Sequence, residues 1–126
     1  MNNNESMEMY LETVYVLESS HGHAHGVDIA KRLNVSKPSV TKAIKYLKDQ
    51  GLVNTQKYGT ITLTEKGKQL SEEIYVKHKL IAQFLVHALK LSAKEASVNA
   101  CKIEHVLSDG MLEAVKIYLK KNNLDT

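Results

Sequence analysis

The segment Ser36–Gly51, which reads SKPSVTKAIKYLKDQG, contains the pattern that decides the fold. Ser36 is a favourable N-cap and Gly51 a typical C-terminal glycine, so the segment predicts one helix that runs to Gln50. Pro38 falls in the first turn, where its missing N–H is of little consequence. Apolar residues recur on one side and polar residues on the other: Val40, Ile44 and Leu47 against Lys37, Thr41, Lys42, Lys45 and Lys48. The pattern predicts a helix with one buried face and one cationic face.

The sequence around this helix predicts a winged helix-turn-helix. A short helix is expected before it, over 27–33, and alternating apolar residues predict a β-hairpin after it, from 53–57 and 60–64 joined by Tyr58-Gly59. Two short helices followed by a hairpin form the layout of a DNA-binding winged helix. A solvated lysine face is the alternative, but the capped helix together with the hairpin favours double-stranded DNA. The predicted DNA-binding residues are Ser36, Lys37, Pro38, Ser39, Thr41, Lys42, Lys45, Lys57 and Tyr58.

Four further helices are predicted by apolar residues at helical spacing. The first covers 6–20, and a long helix capped by Thr64 follows the hairpin, with a bend expected near Gly67. A capping box at Ser92 opens the next helix, and a last helix covers 108–121. The fold class is therefore mainly α with a small β-hairpin, and the expected domains are residues 1–71 and 72–126.

The composition is that of an ordinary globular protein. Hydrophobic residues make up 43% and charged residues 25% of the 126 residues, and no apolar run approaches the roughly 20 residues of a membrane span. The segment 1–8 is rich in asparagine and lacks the features of a secretory signal, so a cytoplasmic location and no membrane partner are expected. The net charge of +3 permits binding to nucleic acid without requiring it.

Cys101, Glu104 and His105 form a candidate metal site, because residues at i, i+3 and i+4 share one face of a helix. A thiol, a carboxylate and an imidazole are all ligands for a divalent transition metal. Cys101 is the only cysteine of the chain, which excludes an intramolecular disulfide. The sequence offers further candidate ligands on two other predicted helices, although each alone is more typical of a core or surface residue: Met9, Glu12 and His78.

A second group of imidazoles lies between the first two predicted helices. His21, His23 and His25 alternate with glycine and alanine, and such a histidine-rich segment can bind a metal. The segment shows neither a helical nor a hairpin pattern that would preorganise these side chains. A solvated loop is therefore the favoured interpretation.

These motifs together resemble the diphtheria toxin repressor and manganese transport regulator family. The resemblance spans nearly the whole chain and is carried by 6–12 (SMEMYLE), 36–41 (SKPSVT), 77–78 (KH) and 101–105 (CKIEH). It implies a homodimeric, metal-activated transcriptional repressor that binds operator DNA and controls metal homeostasis. It also implies a winged helix followed by a helical lobe for metal binding and dimerisation. Many relatives add an SH3-like domain, and a short form without that domain is expected here.

Position by position, the resemblance is mixed. The primary site of the iron-responsive branch is matched by Met9, Cys101, Glu104 and His105, and the paired site of the manganese branch by Glu12, His78, Glu104 and His105. Ala82 and Ser97 stand where the iron branch would place two ancillary ligands. A thioether and a thiolate favour iron(II), while cobalt, nickel and zinc should substitute in vitro. We expect iron(II), with manganese(II) as the alternative.

Two other functions stay open at this point. A winged-helix regulator that needs no metal would use Cys101 and His105 only as structural residues. A small metalloenzyme would use the same ligands with an open coordination position to activate water. No general base, oxyanion donor or nucleotide motif accompanies the ligands, so the sequence predicts a regulator rather than an enzyme.

Overall fold

The computed structural model describes residues 3–124, with side chains from residue 6 onward, and divides the chain into two compact units. The first unit ends at Glu72 and the second begins at Glu73. The elements in chain order are α1 (Asn3–His21), β1 (Ala24–His25), α2 (Gly26–Leu33), α3 (Lys37–Asp49), β2 (Val53–Thr55), a 3-10 turn (Lys57–Gly59), β3 (Thr60–Leu63), α4 (Glu65–Leu89), α5 (Ala93–Ile103) and α6 (Asp109–Lys121). Across 3–124, no helix is long and apolar enough to cross a bilayer. The predicted class, mainly α with a small sheet, is confirmed.

The sheet of the first unit contains the predicted hairpin and one further strand. β2 pairs antiparallel with β3, so that Val53 lies opposite Leu63, and β1 pairs with the other edge of β3. The sequence did not predict β1, because two residues are too few to show alternation. The hairpin connection is also longer than predicted: β2 ends at Thr55, and the 3-10 turn holds Tyr58 at a φ of 69°. We call β2, the 3-10 turn and β3 the wing.

The helix that decided the fold forms as its sequence predicts. The Ser36 hydroxyl accepts a hydrogen bond from the Ser39 N–H at 3.2 Å, which confirms the N-cap. The apolar face of α3 is buried through Val40, Ala43, Ile44 and Leu47. α1 and α2 contribute the rest of the helical core of this unit with Tyr10, Leu11, Val14 and Ile29. Burial of one face leaves the lysine face of α3 exposed.

Gly67 allows α4 to approach the backbone at Leu52, the residue before β2. α4 runs uninterrupted through Gly67, and the Thr64 hydroxyl caps the helix by accepting the Gly67 N–H at 3.0 Å. A Cβ atom at Gly67 would overlap the carbonyl oxygen of Leu52 and lie 3.2 Å from the Leu63 side chain. The glycine is therefore required for close packing between backbone segments.

The second unit packs its three helical segments around a small apolar core. Ile81, Leu85, Ala96 and Ala100 form the buried cluster of α4 and α5, and Val115 and Leu119 are the buried residues of α6. Ser92 and Ser108 cap α5 and α6 through hydrogen bonds of 3.1 Å each. α5 ends at Ile103, two residues before His105, which the sequence placed on the same helix. The chain turns there because Ser108 starts α6, and the Val106 N–H closes the turn onto the Ile103 carbonyl at 3.0 Å.

The substitution Gly67→Ala tests the close packing of α4. It should destabilise the protein by about 1–3 kcal/mol, because the added methyl group forces neighbouring backbone apart. Urea unfolding followed by circular dichroism measures the change as a lower midpoint at an unchanged slope. Gly110→Ala is the matched control, since a Cβ there meets nothing within 4 Å, and should leave stability equal or slightly raised. Equal midpoints for Gly67→Ala and the unsubstituted protein would contradict the packing argument.

Candidate metal centre and nucleic-acid interface

Glu104 lies at the centre of a polar cluster in the second unit. Its side chain is 0% exposed and follows the last residue of α5. Oε2 lies 3.0 Å from Nδ1 of His78, and Oε1 lies 3.2 Å from Nε2 of His105. Two imidazoles therefore contact opposite oxygens of one buried carboxylate.

Cys101 joins this cluster on the side of His78. His78, Cys101 and Glu104 each offer one ligand atom, and these atoms all lie within 4.8 Å of one another. Cys101 precedes Glu104 by about one helical turn, so the two side chains share a face, and His78 reaches them from α4. The Cys101 side chain is exposed, which leaves the site open to ions from solvent. We call His78, Cys101, Glu104 and His105 the Glu104 cluster.

The cluster differs from the single helix face that the sequence predicted. Glu104 keeps helical backbone angles, with φ −57° and ψ −27°, but His105 lies in the turn beyond the end of α5. His105 therefore approaches the carboxylate from outside the helix and contacts Oε1. The donors are arranged around the carboxylate of Glu104 and not along one helix face.

The donors of the Glu104 cluster fit a divalent transition ion. Among the described residues, no hydrogen bond of satisfactory geometry reaches Oε1 of Glu104, despite the 3.2 Å contact with His105. Leaving a buried charged acceptor unsatisfied costs about 1–3 kcal/mol or more, and buried carboxylates are normally paired or bound to a metal. Imidazole, thiolate and carboxylate together suit a transition ion of intermediate softness. Such an ion would supply the positive charge that this carboxylate needs.

Ser97 and Lys77 support the cluster from outside. Ser97 Oγ lies 3.3 Å from Nε2 of His78, so both ring nitrogens of that imidazole face polar atoms. Lys77 Nζ lies 3.5 Å from the carbonyl oxygen of Glu104. Such partners hold a ligand imidazole in one orientation. The sequence did not predict the contact of Ser97 with His78, although the spacing of four residues puts Ser97 on the same face of α5 as Cys101. Ala82 packs against the apolar core.

Met9 and Glu12, the other predicted ligands, lie on α1 of the first unit. Both side chains are partly buried and are separated by about one helical turn. The Thr13 hydroxyl donates a hydrogen bond to the Met9 carbonyl at 2.8 Å, within the same helix. Their role as metal ligands stays a prediction.

The predicted DNA-binding residues lie on α3, at its N-cap and on the wing, and all are exposed. Two hydroxyls near the start of α3 bond each other, with Ser36 Oγ 2.8 Å from Ser39 Oγ. Lys48 Nζ donates to Thr55 Oγ1 at 3.1 Å and thereby links α3 to β2. Tyr58 is 96% exposed at the end of the wing. The first unit thus presents a cationic helix and an aromatic wing tip to solvent.

Two sequence-family models match this chain, one for each part. Residues 4–61 match the iron-dependent repressor N-terminal DNA-binding domain. Residues 64–125 match the iron-dependent repressor metal-binding and dimerisation domain. Together these matches cover both described units.

Individual relatives agree with the family models. The uncharacterized HTH-type transcriptional regulator MJ0568 of Methanocaldococcus jannaschii is 43% identical over 93% of this chain and 94% of its own length. The iron-dependent repressor IdeR of Mycobacterium tuberculosis is 34% identical over 83% of this chain and 46% of its own length. The solved structure of the manganese regulator SloR matches 99% of this chain and 56% of its own, with 33% identity and a TM-score of 0.76.

The chain therefore spans nearly all of one relative and about half of the other two. MJ0568 is a transcriptional regulator, IdeR a repressor and SloR a manganese regulator, which confirms the prediction of a regulator rather than an enzyme. The two family models and the relatives at 43% and 34% identity establish that the chain belongs to the diphtheria toxin repressor and manganese transport regulator family of metal-dependent transcriptional repressors.

Proposed function

We propose that this protein is an iron(II)-activated transcriptional repressor that binds operator DNA as a homodimer and controls metal homeostasis genes. The observation that carries the proposal is the buried carboxylate of Glu104, flanked by two imidazoles and the Cys101 thiol, with Oε1 unsatisfied within the described residues. Manganese(II) is the alternative activating ion. In this proposal residues 1–71 bind DNA and residues 72–126 bind the metal and dimerise, in the cytoplasm.

Two kinds of observation support the proposed metal ligands. His78, Cys101, Glu104 and His105 are supported by their contacts around one carboxylate. Met9 and Glu12 are supported by the resemblance of their segment to the family. The complete proposed set is Met9, Glu12, His78, Cys101, Glu104 and His105.

Ligand chemistry favours iron(II) over manganese(II). Manganese prefers hard oxygen donors, whereas the thiolate of Cys101, the thioether of Met9 and the imidazoles suit a later and softer ion. Both metals occur in the names of the relatives: IdeR is an iron-dependent repressor, and SloR is a manganese regulator. Cobalt, nickel and zinc should bind at least as tightly as iron in vitro, so that cellular availability decides which ion is the signal.

We propose that α3 enters the major groove and that the wing contacts the flanking backbone. The contacting residues are Ser36, Lys37, Pro38, Ser39, Thr41, Lys42, Lys45, Lys57 and Tyr58, all of which are exposed. Arg32 is the only arginine of the chain, so the common bidentate contact of arginine with guanine is excluded for α3. Lys42, the hydroxyls and the shape of the DNA must then supply specificity.

Exposed apolar side chains support a homodimer formed by the second unit. Leu89, Val98, Val106, Met111 and Ile117 are each between 47% and 62% exposed. Large apolar side chains exposed in such number are typical of a surface that a partner covers. A two-fold dimer would place two α3 helices on half-sites about 34 Å apart, which predicts a palindromic operator.

Capture of genomic DNA tests the proposed function directly. Purified protein is incubated without oxygen with DNA fragments of its source genome and with iron(II), manganese(II) or a chelator, and the retained fragments are sequenced. A few palindromic sites should be enriched only with metal, at the lowest free concentration with iron(II). Equal enrichment in chelator would support the alternative of a winged-helix regulator that needs no metal. Activation by manganese(II) at a lower free concentration than by iron(II) would identify manganese(II) as the signal.

The substitution Cys101→Ala tests the ligand set. Since Cys101 is exposed, the fold should persist in this variant. Because a metal ligand is lost, the free iron(II) concentration needed for half-maximal operator binding should rise at least about tenfold. Fluorescence anisotropy of a labelled operator fragment, titrated with buffered metal, measures this concentration. Lys102→Ala, an exposed neighbour on α5, is the matched control and should behave as the unsubstituted protein. Unaltered activation in Cys101→Ala would remove that residue from the ligand set.

The substitution Lys42→Ala tests the recognition surface. It should weaken operator binding by about 1–3 kcal/mol, because a lysine contact with a base edge or phosphate is lost, and should leave metal affinity unchanged. The same anisotropy titration at saturating metal measures DNA affinity, and calorimetry measures metal affinity. Lys116→Ala on α6 removes an equal charge from an exposed position outside α3 and the wing. Equal losses in both variants would point to net charge and not to a contact by α3.

A further inference from the structure

His23 and His25 form a close imidazole pair in the first unit. Their Nε2 atoms lie 3.0 Å apart, and the ring centroids lie 4.7 Å apart at an interplanar angle of 86°. Both residues are partly exposed, so an ion from solvent can reach them. Neither residue belongs to the Glu104 cluster or to the proposed DNA-binding residues.

The backbone on both sides of the pair is held in place. α1 ends where the Gly22 N–H bonds the Glu18 carbonyl at 2.7 Å, with Gly22 at a φ of 83°. His25 belongs to β1, opposite Thr60 of β3, and is also the N-cap residue of α2. Strand pairing therefore orders His25, and His23 lies in the bend between α1 and β1, so this part of the segment differs from the solvated loop that the sequence favoured.

The ring contact places the two imidazoles on the same side of this segment. His25 belongs to β1 and His23 to the bend that precedes it, and the residue between them faces the core. Ala24 is 1% exposed and occupies the core face. His23 and His25 are therefore left together on the outer face, with the ring nitrogens already adjacent. Because the two rings are already in contact, binding one ligand to both nitrogens costs little further side-chain entropy.

The distance between the nitrogens suits a chelated metal ion. With metal–nitrogen bonds of about 2.05 Å, two nitrogens 3.0 Å apart subtend an angle of about 94° at the ion. That angle corresponds to neighbouring positions of a square-planar or octahedral ion, which Ni²⁺ and Cu²⁺ adopt. A tetrahedral ion such as Zn²⁺ would require a separation of about 3.3 Å, a few tenths of an ångström more.

We propose that His23 and His25 form a second metal site, a two-imidazole chelate for a late divalent transition ion such as Ni²⁺, with water in the remaining positions. In the metal-free protein the same pair forms one N–H···N hydrogen bond. On binding, the donor ring transfers its proton from Nε2 to Nδ1 through solvent, so that both Nε2 lone pairs face the ion and no net proton is released. An imidazole-only donor set favours late ions over iron(II) and manganese(II), which separates this site from the proposed sensor site.

Nickel stoichiometry measured by equilibrium dialysis on the tag-free full chain tests this site. Unsubstituted protein should bind one more Ni²⁺ per chain than His23→Gln or His25→Gln, because either change leaves a single imidazole. His21→Gln is the matched control: it removes an exposed histidine of the same segment and should retain the ion. Metal-free circular dichroism of each variant establishes that the fold is kept, and the two separate ligand variants guard against a folding defect in one of them.

Two outcomes would overturn the proposal. Equal stoichiometry in all four proteins would mean that the pair holds only its hydrogen bond, and loss of the ion in His21→Gln would assign the site to different ligands. A Cys101→Ala background distinguishes this site from the Glu104 cluster. The ion bound by the histidine pair should persist in Cys101→Ala and disappear only when His23 or His25 is also replaced.

Discussion

The buried carboxylate of Glu104 is the constraint on which the candidate metal centre depends. A charge with no exposed surface is costly unless other groups compensate for it, and His78 and His105 do so in part by contacting opposite oxygens. Oε1 still lacks a well-formed hydrogen bond within the described part of the chain. A divalent ion would add a double positive charge that the carboxylate can bind directly, beyond its contacts with the two imidazoles. In this view the stability of the second unit and metal occupancy are linked.

The first unit holds its proposed DNA-binding surface, α3 and the wing, on a well-connected framework. The Glu18 carboxylate accepts the Leu63 N–H at 3.1 Å and joins α1 to β3, and the lysine at the end of α3 bonds Thr55 of the wing. Gly67 brings α4 against the backbone at Leu52. These contacts connect α1 and α3 to strands of the wing, and α4 to the backbone just before it. Residues on such elements keep a defined spacing, which a surface that reads DNA requires.

The two proposed metal sites differ in donors and in construction. The Glu104 cluster mixes sulfur, nitrogen and oxygen donors from α4, α5 and the turn after α5 around a buried carboxylate. The His23–His25 pair offers two imidazole nitrogens from residues two apart, one in the bend before β1 and one in β1. Donor softness and geometry select among divalent ions more strongly than overall affinity does. One chain can therefore hold different ions at the two sites.

Local sequence predicted the starts of α3, α4 and α5, because a cap depends on residues within one turn: the caps at Ser36, Thr64 and Ser92 all form. It also pointed to Cys101, Glu104 and His105 through local spacing and resemblance. The contact of His78 with Glu104 and the pairing of β1 with β3 follow only from the folded structure. These features depend on pairing between segments distant along the chain, which local periodicity does not encode.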